Sequence, residues 1–310
     1  MNPFIYSDDN KRYHTLYYHN SRTFGGRVFK AAVDAGFSCP NIDGSKGSGG
    51  CIFCADGSGY FTDGSLSVTE QFRREKQRIA AKYPEAKIIA YLQAHSNTYA
   101  PTAELEKVYT ELIGAGAAGL SVATRADCLD KDKARLLSSL PVPVTVELGL
   151  QTVHNSTAEK INRCHSFEEF LKGYSLLKES GIRVCVHIIN GLPDEDEEMM
   201  LETARRLGEL RPDGIKIHLL HVIRGTPLCR IYESGGYVPL TREQYIDIVV
   251  RQLELIPAKT VIERLTGDGD KSTLAAPLWS ADKIAVLGGI DKRQRELDTW
   301  QGKQLTVDSV

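Results

Sequence analysis

Apolar positions along residues 28–223 alternate between two spacings, and this alternation predicts a series of strand–helix units. Short β-like runs occur at six places, and apolar side chains between them recur every three or four residues, as in amphipathic helices. About six such units in series predict a parallel sheet with helical crossovers. The predicted strands span 28–37, 87–94, 117–124, 143–152, 182–193 and 214–223.

The two faces of these strands help to choose between an open sheet and a barrel. Glu147 and Gln151 share one face of the strand over 143–152, while apolar residues occupy the other face. Lys216 and His218 alternate with apolar neighbours in the same way. Because buried parallel strands are usually apolar on both faces, a polar face favours a barrel whose lumen holds a polar ligand. We therefore expect an α/β fold with a partial (βα)6 TIM-like barrel.

Three segments follow from this pattern. Residues 1–22 are rich in Tyr, His and Asn and form an N-terminal extension without a predicted element. The barrel is expected over 23–235. Residues 236–310 contain a predicted helix, a short strand and a charged end, so we expect an α/β extension that packs on the barrel rather than an independent domain.

The overall composition is that of an ordinary globular protein. Hydrophobic residues make up 42% of the 310 residues, charged residues make up 25%, and the formal net charge is −2. This charge gives no global signal for nucleic-acid binding. No apolar run is long enough to span a membrane, and the N-terminus lacks the apolar segment of a secretory signal, so the expected location is the cytoplasm.

Three of the seven cysteines form a compact pattern. Cys39, Cys51 and Cys54 are spaced C-x11-C-x2-C and follow the first predicted strand. They therefore lie at its C-terminal end, where (βα) barrels build their active sites. The other four lie singly in helical or strand-like contexts, where we expect buried small hydrophobic side chains rather than disulfides. These four are Cys128, Cys164, Cys185 and Cys229.

Three thiolates are an informative number of ligands. A structural zinc site takes four protein ligands, and the nearest histidines, His14, His19 and His95, do not have a usual ligand spacing. Three thiolates on a [4Fe–4S] cluster leave one iron free to bind another molecule. The intervening glycines let the backbone wrap closely round such a centre. We predict this cluster; zinc with a distant fourth ligand and unrelated thiols are the alternatives.

Several segments then resemble one known family, the YhcC/YtqA family of radical S-adenosylmethionine (SAM) proteins. They read GFSCPNIDGSKGSGGCIFC, QAHSNTYAP, ATRADCL, ELGLQTVHNSTAEKINRCHS, GLPDE and APLWSADK. The family is similar to the Elongator catalytic subunit, and the resemblance covers nearly the whole chain. It implies that a [4Fe–4S] cluster on Cys39, Cys51 and Cys54 cleaves SAM reductively to a 5′-deoxyadenosyl radical. The wide C-x11-C spacing departs from the superfamily's commonest motif, C-x3-C-x2-C.

The resemblance also implies contacts with SAM. Phe53 would lie beside the adenine, and Leu192 would lie in the adenine-contacting end of the fifth strand. Arg163 would approach the SAM carboxylate. Glu147 and Gln151 would bond the ribose or the amino group.

The motif that usually holds the methionine amino group is absent from this chain. In place of the superfamily's GGE, the sequence after the second predicted strand reads QAHSNT. The candidates for this contact are Gln93, Asn97 and Thr98. For each candidate SAM residue, the alternative is a polar group that the barrel itself satisfies.

The resemblance implies a substrate as well. Similar proteins of Gram-positive bacteria, the MnmL type, are linked to converting a 5-carboxymethylaminomethyl group to 5-aminomethyl on the wobble uridine of tRNA. The implied partners are tRNA and an electron donor, either a reductase with flavodoxin or ferredoxin. Basic residues near the chain ends, Lys30 and Arg293 among them, are candidate tRNA contacts. The alternatives are a radical SAM enzyme acting on a small metabolite or tetrapyrrole, and a non-catalytic Fe–S or zinc RNA-binding module.

Overall fold

The computed structural model describes residues 4–55, 62–267, 269 and 271–305. Seven strands form one parallel sheet in the order β1-β2-β3-β4-β5-β6-β8. All six predicted strands are present in it. The bounds are β1 Val28–Val33, β2 Lys87–Leu92, β3 Gly119–Thr124, β4 Val144–Gln151, β5 Arg183–Asn190, β6 Gly214–Leu219 and β8 Val261–Arg264, and a separate antiparallel pair comprises β7 Val222–Ile223 and β9 Leu274–Ala276.

Helices connect consecutive strands of the sheet, as parallel pairing requires. Their ends follow the capping signals: Ser166 Oγ accepts from Glu169 N (3.2 Å) and the Glu169 carboxylate accepts from Ser166 N (2.8 Å). The helices are α1 Leu16–Phe24, α2 Val68–Ala80, α3 Thr102–Gly114, α4 Lys131–Ser139, α5 Asn155–Lys160, α6 Phe167–Glu179, α7 Glu197–Leu210, α8 Pro227–Glu233, α9 Arg242–Glu254 and α10 Lys283–Glu296.

The C-terminal region contributes to the sheet itself. β8 pairs parallel to β6, with Gly214 opposite Val261, so the sheet has seven strands rather than the six predicted. The predicted strand over 214–223 also divides, because β7 leaves the sheet to pair with β9. The strand predicted beyond 236 is therefore part of the barrel wall.

The two faces of the sheet differ, as the alternation predicts. Apolar side chains such as Leu148 of β4 and Val186 of β5 are fully buried in one core with Phe170 of α6. Burying such side chains is the main force that holds the helices on the sheet. The opposite face carries Glu147 and Lys216, which are buried polar residues. The helices thus cover the apolar face, and the polar face lines the lumen.

Hydrogen bonds tie the two chain ends together. The Gln301 amide donates to the carbonyls of Pro257 (2.7 Å) and Thr260 (2.8 Å), and its oxygen accepts from His14 N (2.8 Å). Thr15 adds a parallel bridge to Ile262 of β8. The N-terminal extension is therefore packed on the last strand of the sheet. Among the described residues, no helix combines the length and apolar character needed to cross a membrane.

Candidate functional site

The cysteine loop, residues 39–54, folds back on itself after β1. Ile42 N donates to Cys39 O (2.8 Å), Gly50 N donates to Asn41 O (2.8 Å), and Cys54 N donates to Cys51 O (2.9 Å). Gly50 adopts a φ of 72°, which favours glycine over residues with a side chain. These internal bonds bring the three cysteines into one compact loop at the C-terminal end of β1.

The turn that follows α5 clamps this loop. Asn41 is fully buried; its amide donates to the Asn162 carbonyl and lies 3.7 Å from Cys51 Sγ. In return, the Asn162 amide donates to Gly50 O (2.7 Å). Ile52 N also donates to Ile161 O (3.1 Å). Reciprocal contacts of two asparagines therefore set the position of the cysteine loop against the rest of the barrel.

Gly47 of the cysteine loop lies too close to Asn41 and Cys164 to carry a side chain. A Cβ added to Gly47 would lie 2.7 Å from Cys164 Sγ and would collide with the Asn41 side chain. Cys164 is half-buried and has a φ of 58°, so it differs from the fully buried cysteine that we expected. Cys128, Cys185 and Cys229 are buried as predicted.

Two thiols of the loop, Cys51 and Cys54, are hydrogen-bonded to each other. The hydrogen bond from Cys54 lowers the pKa of Cys51 to about 7, and the positive charge of Arg125 acts in the same direction. The same hydrogen bond raises the pKa of Cys54 well above its ordinary value. Because a metal ligand must be a thiolate, the lowered pKa of Cys51 favours the form that binds iron.

The residues of the loop fit a [4Fe–4S] cluster. Three thiols share one loop, and the buried Asn41 places an N–H group beside one of the sulfurs. Its carbonyl oxygen has no hydrogen-bond partner within the described chain. No three His, Cys, Asp or Glu side chains in the described part of the chain converge on a single ion. A cubane does not need such convergence, because each cysteine binds a different iron.

A network of charged side chains fills the lumen below this loop. Glu147 of β4 accepts from Lys30 (2.5 Å), Ser121 (2.5 Å) and His187 (2.8 Å), and it also pairs with Lys216. Burial alone would raise the pKa of Glu147, but Lys216 and Lys30 outweigh burial and hold this pKa well below its ordinary value. The carboxylate is therefore ionised and accepts four contacts.

A second carboxylate continues the network towards the other end of the strands. Glu263 of β8 accepts from Lys30 (3.1 Å) and Arg183 (2.7 Å). Its burial favours the neutral form, yet Lys30 and Arg183 lower the pKa of Glu263 to about 2. Lys30 thus lies inside the barrel and pairs with both carboxylates, which corrects its assignment to a surface patch for tRNA. Arg293 also lies in a pair, with Asp247 (2.6 Å).

Comparison with known proteins decides the family. The model of the radical SAM superfamily matches residues 44–207, more than half of the chain, and the radical SAM C-terminal domain matches 212–296. YtqA of Bacillus subtilis (strain 168), an uncharacterised protein, is 46% identical over 97% of this chain and 95% of its own length. The chain belongs to the radical SAM superfamily.

Two further relatives place the chain within this superfamily. The tRNA uridine(34) acetyltransferase of Methanocaldococcus jannaschii is 33% identical over 48% of this chain and 28% of its own length. The solved structure of Methanocaldococcus infernus Elp3 with an N-terminal deletion superposes with a TM-score of 0.67. It shares 19% identity over 88% of this chain, which spans 64% of the Elp3 chain, less than two thirds. This likeness confirms the fold.

The chain is therefore a radical SAM enzyme of the YhcC/YtqA type, related to Elongator proteins. Its cofactors are a [4Fe–4S] cluster and SAM. The alternatives of a zinc site and of a non-catalytic RNA-binding module are not retained. Which residues bind these cofactors is a separate question that depends on the geometry of this chain.

Two of the predicted SAM residues belong to one apolar cluster. Leu192 is buried in a cluster with Ile161 and Leu228, and the half-buried Phe53 packs against that cluster. Gly191 precedes Leu192 with a φ of 82° and accepts a hydrogen bond from the Tyr237 hydroxyl (2.7 Å). An apolar surface beside Cys54 suits a flat purine ring, and the adenine contact of Phe53 and Leu192 stays a prediction.

Two of the candidates for the amino group of SAM have partners inside the barrel. The Asn97 amide donates to the carbonyls of Ala94 (2.9 Å) and Ala123 (3.0 Å). The Thr98 hydroxyl lies 2.7 Å from Thr124 Oγ1 and donates to Cys128 O (2.9 Å). Both side chains are fully buried, so these contacts give them a structural role in joining β2 to β3. Their contact with SAM stays a prediction.

Arg163 is the largest fully buried side chain of the described residues. Its guanidinium donates to the carbonyls of Leu150, Thr152 (2.7 Å) and His165 (2.8 and 3.0 Å). Burial lowers the pKa of Arg163 to about 10, so the group is still charged at neutral pH. It fixes the turn after α5 to the end of β4, and its approach to the SAM carboxylate stays a prediction.

The remaining candidates, Gln93, Gln151 and Glu147, lie at different distances from the C-terminal ends of their strands. Gln151 is the last residue of β4 and has a φ of 62°, while the half-buried Gln93 directly follows β2. Both therefore lie at the end of the sheet near the cysteine loop. Glu147 lies four residues earlier on β4, within the charged network. Its contacts are with protein groups, and its contact with the ribose stays a prediction.

Sequence reasoning missed several residues of the site. Lys30, Ser121 and Glu263 belong to the lumen network, but each lies in a strand of only four to six residues, which gives a weak pattern. Asn41 and Asn162 lie in loops, and their pairing depends on tertiary contacts. On β3, the alternation of Gly119, Ser121 and Ala123 with larger side chains was a usable signal for Ser121. The sequence holds no comparable signal for the asparagine pair.

Proposed function

We propose that this radical SAM enzyme acts on the side chain at carbon 5 of the wobble uridine of tRNA, converting 5-carboxymethylaminomethyl to 5-aminomethyl. The two carboxymethyl carbons would leave as glyoxylate: SAM, which is converted to methionine and 5′-deoxyadenosine, is the two-electron oxidant, and water hydrolyses the oxidised C–N bond. The observation that carries the proposal is the similarity to a tRNA uridine(34) acetyltransferase, which is 33% identical over 48% of this chain. The name of that relative places its activity at the wobble uridine. The polar lumen supports it, because a zwitterionic side chain needs polar groups where it binds.

In this proposal the cysteine loop holds the cluster at the C-terminal end of the barrel. Cys39, Cys51 and Cys54 bind three irons and leave one for SAM. When bound, the cluster and SAM supply a 5′-deoxyadenosyl radical. Phe53 and Leu192 form the apolar wall for the adenine, which orients SAM above the lumen. The substrate side chain enters from the same end, and the surrounding strands exclude water from it.

The electron donor is part of the proposal. We propose a reductase with flavodoxin, or ferredoxin, as the source of the electron. A protein donor needs access to the cysteine loop, and Cys54 is exposed at its end. Formation of 5′-deoxyadenosine with reduced flavodoxin or ferredoxin, compared with a chemical reductant, tests this point.

Nucleoside mass spectrometry tests the substrate. Bulk tRNA from a deletion strain should accumulate the 5-carboxymethylaminomethyl nucleoside and lose the 5-aminomethyl nucleoside and its derivatives. Complementation with the intact gene should restore the wild-type pattern, whereas a gene encoding Cys54→Ala should not. Identical wobble uridines in wild-type and deletion strains would remove the proposal and favour a small-molecule substrate.

A further inference from the structure

The charged layer of the lumen, which extends from Arg183 and Glu263 up to Lys216, contains more cations than carboxylates. Three cations, Lys30, Lys216 and Arg183, contact two carboxylates, Glu147 and Glu263. Both carboxylates are ionised, because the pKa of each lies below its ordinary value despite the cost of burial. The side chains of Lys30 and Arg183 are 23% and 24% exposed, whereas that of Lys216 is 5% exposed. Because a buried cation is costly, Lys216 is the member of this layer that gains most from an additional anion.

A histidine lies directly above this layer, on the side of the cysteine loop. The strand register places Lys216 opposite His187 and His218 opposite Ile189, so His218 is one step nearer the C-terminal end of β6. Its ring lies 5.2 Å from the His187 ring. Its Nε2 is buried and has no hydrogen-bond partner within the described part of the chain. An unsatisfied ring nitrogen of this kind lacks the partner that buried polar groups normally have.

His218 is neutral and can donate a hydrogen bond from Nε2. Burial lowers the pKa of His218 well below its ordinary value, and the charges of His187, Arg264 and Lys216 act in the same direction. The ring is therefore neutral at pH 7, and the tautomer with hydrogen on Nε2 can donate one hydrogen bond.

Solvent reaches this part of the lumen. The side chains of Lys30 and His187 are 23% and 17% exposed although both belong to interior strand faces. The layer is thus not sealed from solvent, although Lys216 and the Nε2 atom of His218 are themselves buried. A ligand at this level would lie below the cysteine loop and within the strands, not on the protein surface.

We propose that Lys216 and His218 bind an anionic group of the substrate, a carboxylate, at the floor of the lumen. This inference rests on the proposed function, whose substrate carries a carboxylate at the end of its side chain. Lys216 provides the charge and His218 donates a hydrogen bond from Nε2, which holds the side chain upright beneath SAM. The two residues then select substrates with an acidic end.

Paired RNA probes test the proposal. One synthetic anticodon stem-loop carries 5-carboxymethylaminomethyluridine, and the other carries the same side chain with its carboxylate converted to a primary amide. The cluster-loaded enzyme should prefer the acid over the amide by about 10- to 100-fold in kcat/KM, the range expected for a hydrogen bond to a charged group. His218→Asn and Lys216→Gln should each reduce that preference to near unity.

The control is Lys178→Gln, which removes a lysine of α6 that pairs with Asp213 (2.7 Å) outside the lumen. It should keep the full preference for the acid. Iron and sulfide content and the thermal unfolding midpoint report whether each variant is folded; if Lys216→Gln does not fold, His218→Asn decides the result.

Three outcomes would overturn the inference. Variants that retain the preference would show that the layer is structural only, and a wild-type enzyme that turns over the acid and the amide equally would show that no carboxylate is recognised. Turnover of neither RNA by the cluster-loaded wild type would refute the proposed function itself. The third result is distinguishable from the first two because no RNA product forms at all.

Discussion

The lumen network around Glu147 and the cysteine loop are both buried and polar, yet they satisfy their polar atoms differently. Glu147 accepts contacts from Lys30, Lys216, His187 and Ser121, so each of its oxygens has protein partners. Beside the cysteine loop, the Asn41 carbonyl oxygen and both ring nitrogens of His165 have no partner within the described residues.

This difference separates groups that hold the barrel together from groups that await a ligand. A buried polar group without a partner is costly, so proteins rarely leave one unless something else binds there. The contacts of Glu147 within the strands therefore stabilise the fold, while the incomplete bonding near the loop, like that of His218 in the lumen, marks a place where a ligand binds.

Loss of one loop cysteine should have the largest effect. Cys54→Ala removes a predicted iron ligand, and the enzyme should lose nearly all cluster iron and all detectable SAM cleavage. Iron and sulfide analysis after anaerobic reconstitution measures the first effect. Cys229→Ala, a buried cysteine of α8, should retain both. A complete cluster in Cys54→Ala would mean that the ligand set is wrong.

Glu147→Gln should destabilise the fold strongly. The change removes one negative charge from a buried group and leaves Lys30 and Lys216 facing each other, which should cost about 3–5 kcal/mol in the free energy of unfolding. Urea unfolding measures this loss. Glu202→Gln breaks an exposed pair with Arg205 (3.0 Å) and should cost less than about 1 kcal/mol. Equal losses in the two variants would contradict the structural role of the network.

The pH dependence of the free energy of unfolding tests whether His165 is buried in its neutral form. Burial lowers the pKa of His165 to about 3, and the charges of Arg163 and Arg125 add to this effect. The folded protein therefore keeps the ring neutral, while the unfolded chain takes up a proton below about pH 6.5. The contribution is complete above pH 6.5 and is lost as the pH falls towards 3; by pH 5 the loss should be about 2 kcal/mol.

Urea unfolding at pH 7.5 and pH 5 measures this loss, and His165→Leu should flatten the profile by the same amount. A variant whose stability falls with pH as steeply as that of the wild type would show that His165 does not carry the effect.

Thr98→Val should have the smallest effect and distinguishes two roles for one residue. If the hydroxyl serves only to join Thr124 and Cys128, its loss should cost about 1 kcal/mol of stability and leave the Kd for SAM unchanged. Thermal unfolding and equilibrium binding of SAM report the two quantities. Weaker SAM binding at unchanged stability would instead make Thr98 a cofactor ligand.

The sequence was sufficient for the strands of the barrel and for the cysteine pattern, because both depend on local spacing. Alternation on β4 and β6 correctly predicted a polar lumen face. The spacing of Cys39, Cys51 and Cys54 identified the loop that the turn after α5 holds in place.

Other features depend on contacts between residues far apart in the chain. β8 pairs with β6 across about 40 intervening residues, and no local pattern indicates that pairing. The partners of Arg163 are backbone carbonyls, which every residue carries, so its identity alone could not distinguish a structural from a SAM-binding role. The polar lumen was attributed to a ligand, whereas much of its polarity is satisfied by the protein's own ion pairs.

Electron paramagnetic resonance of the reduced, reconstituted enzyme, before and after addition of SAM, shows whether one iron of the cluster is open to SAM. If three cysteines leave one iron of the cluster open, SAM should shift the signal of the [4Fe–4S]⁺ state, and 5′-deoxyadenosine should form in the same sample. A spectrum that SAM leaves unchanged, with no 5′-deoxyadenosine formed, would contradict the account.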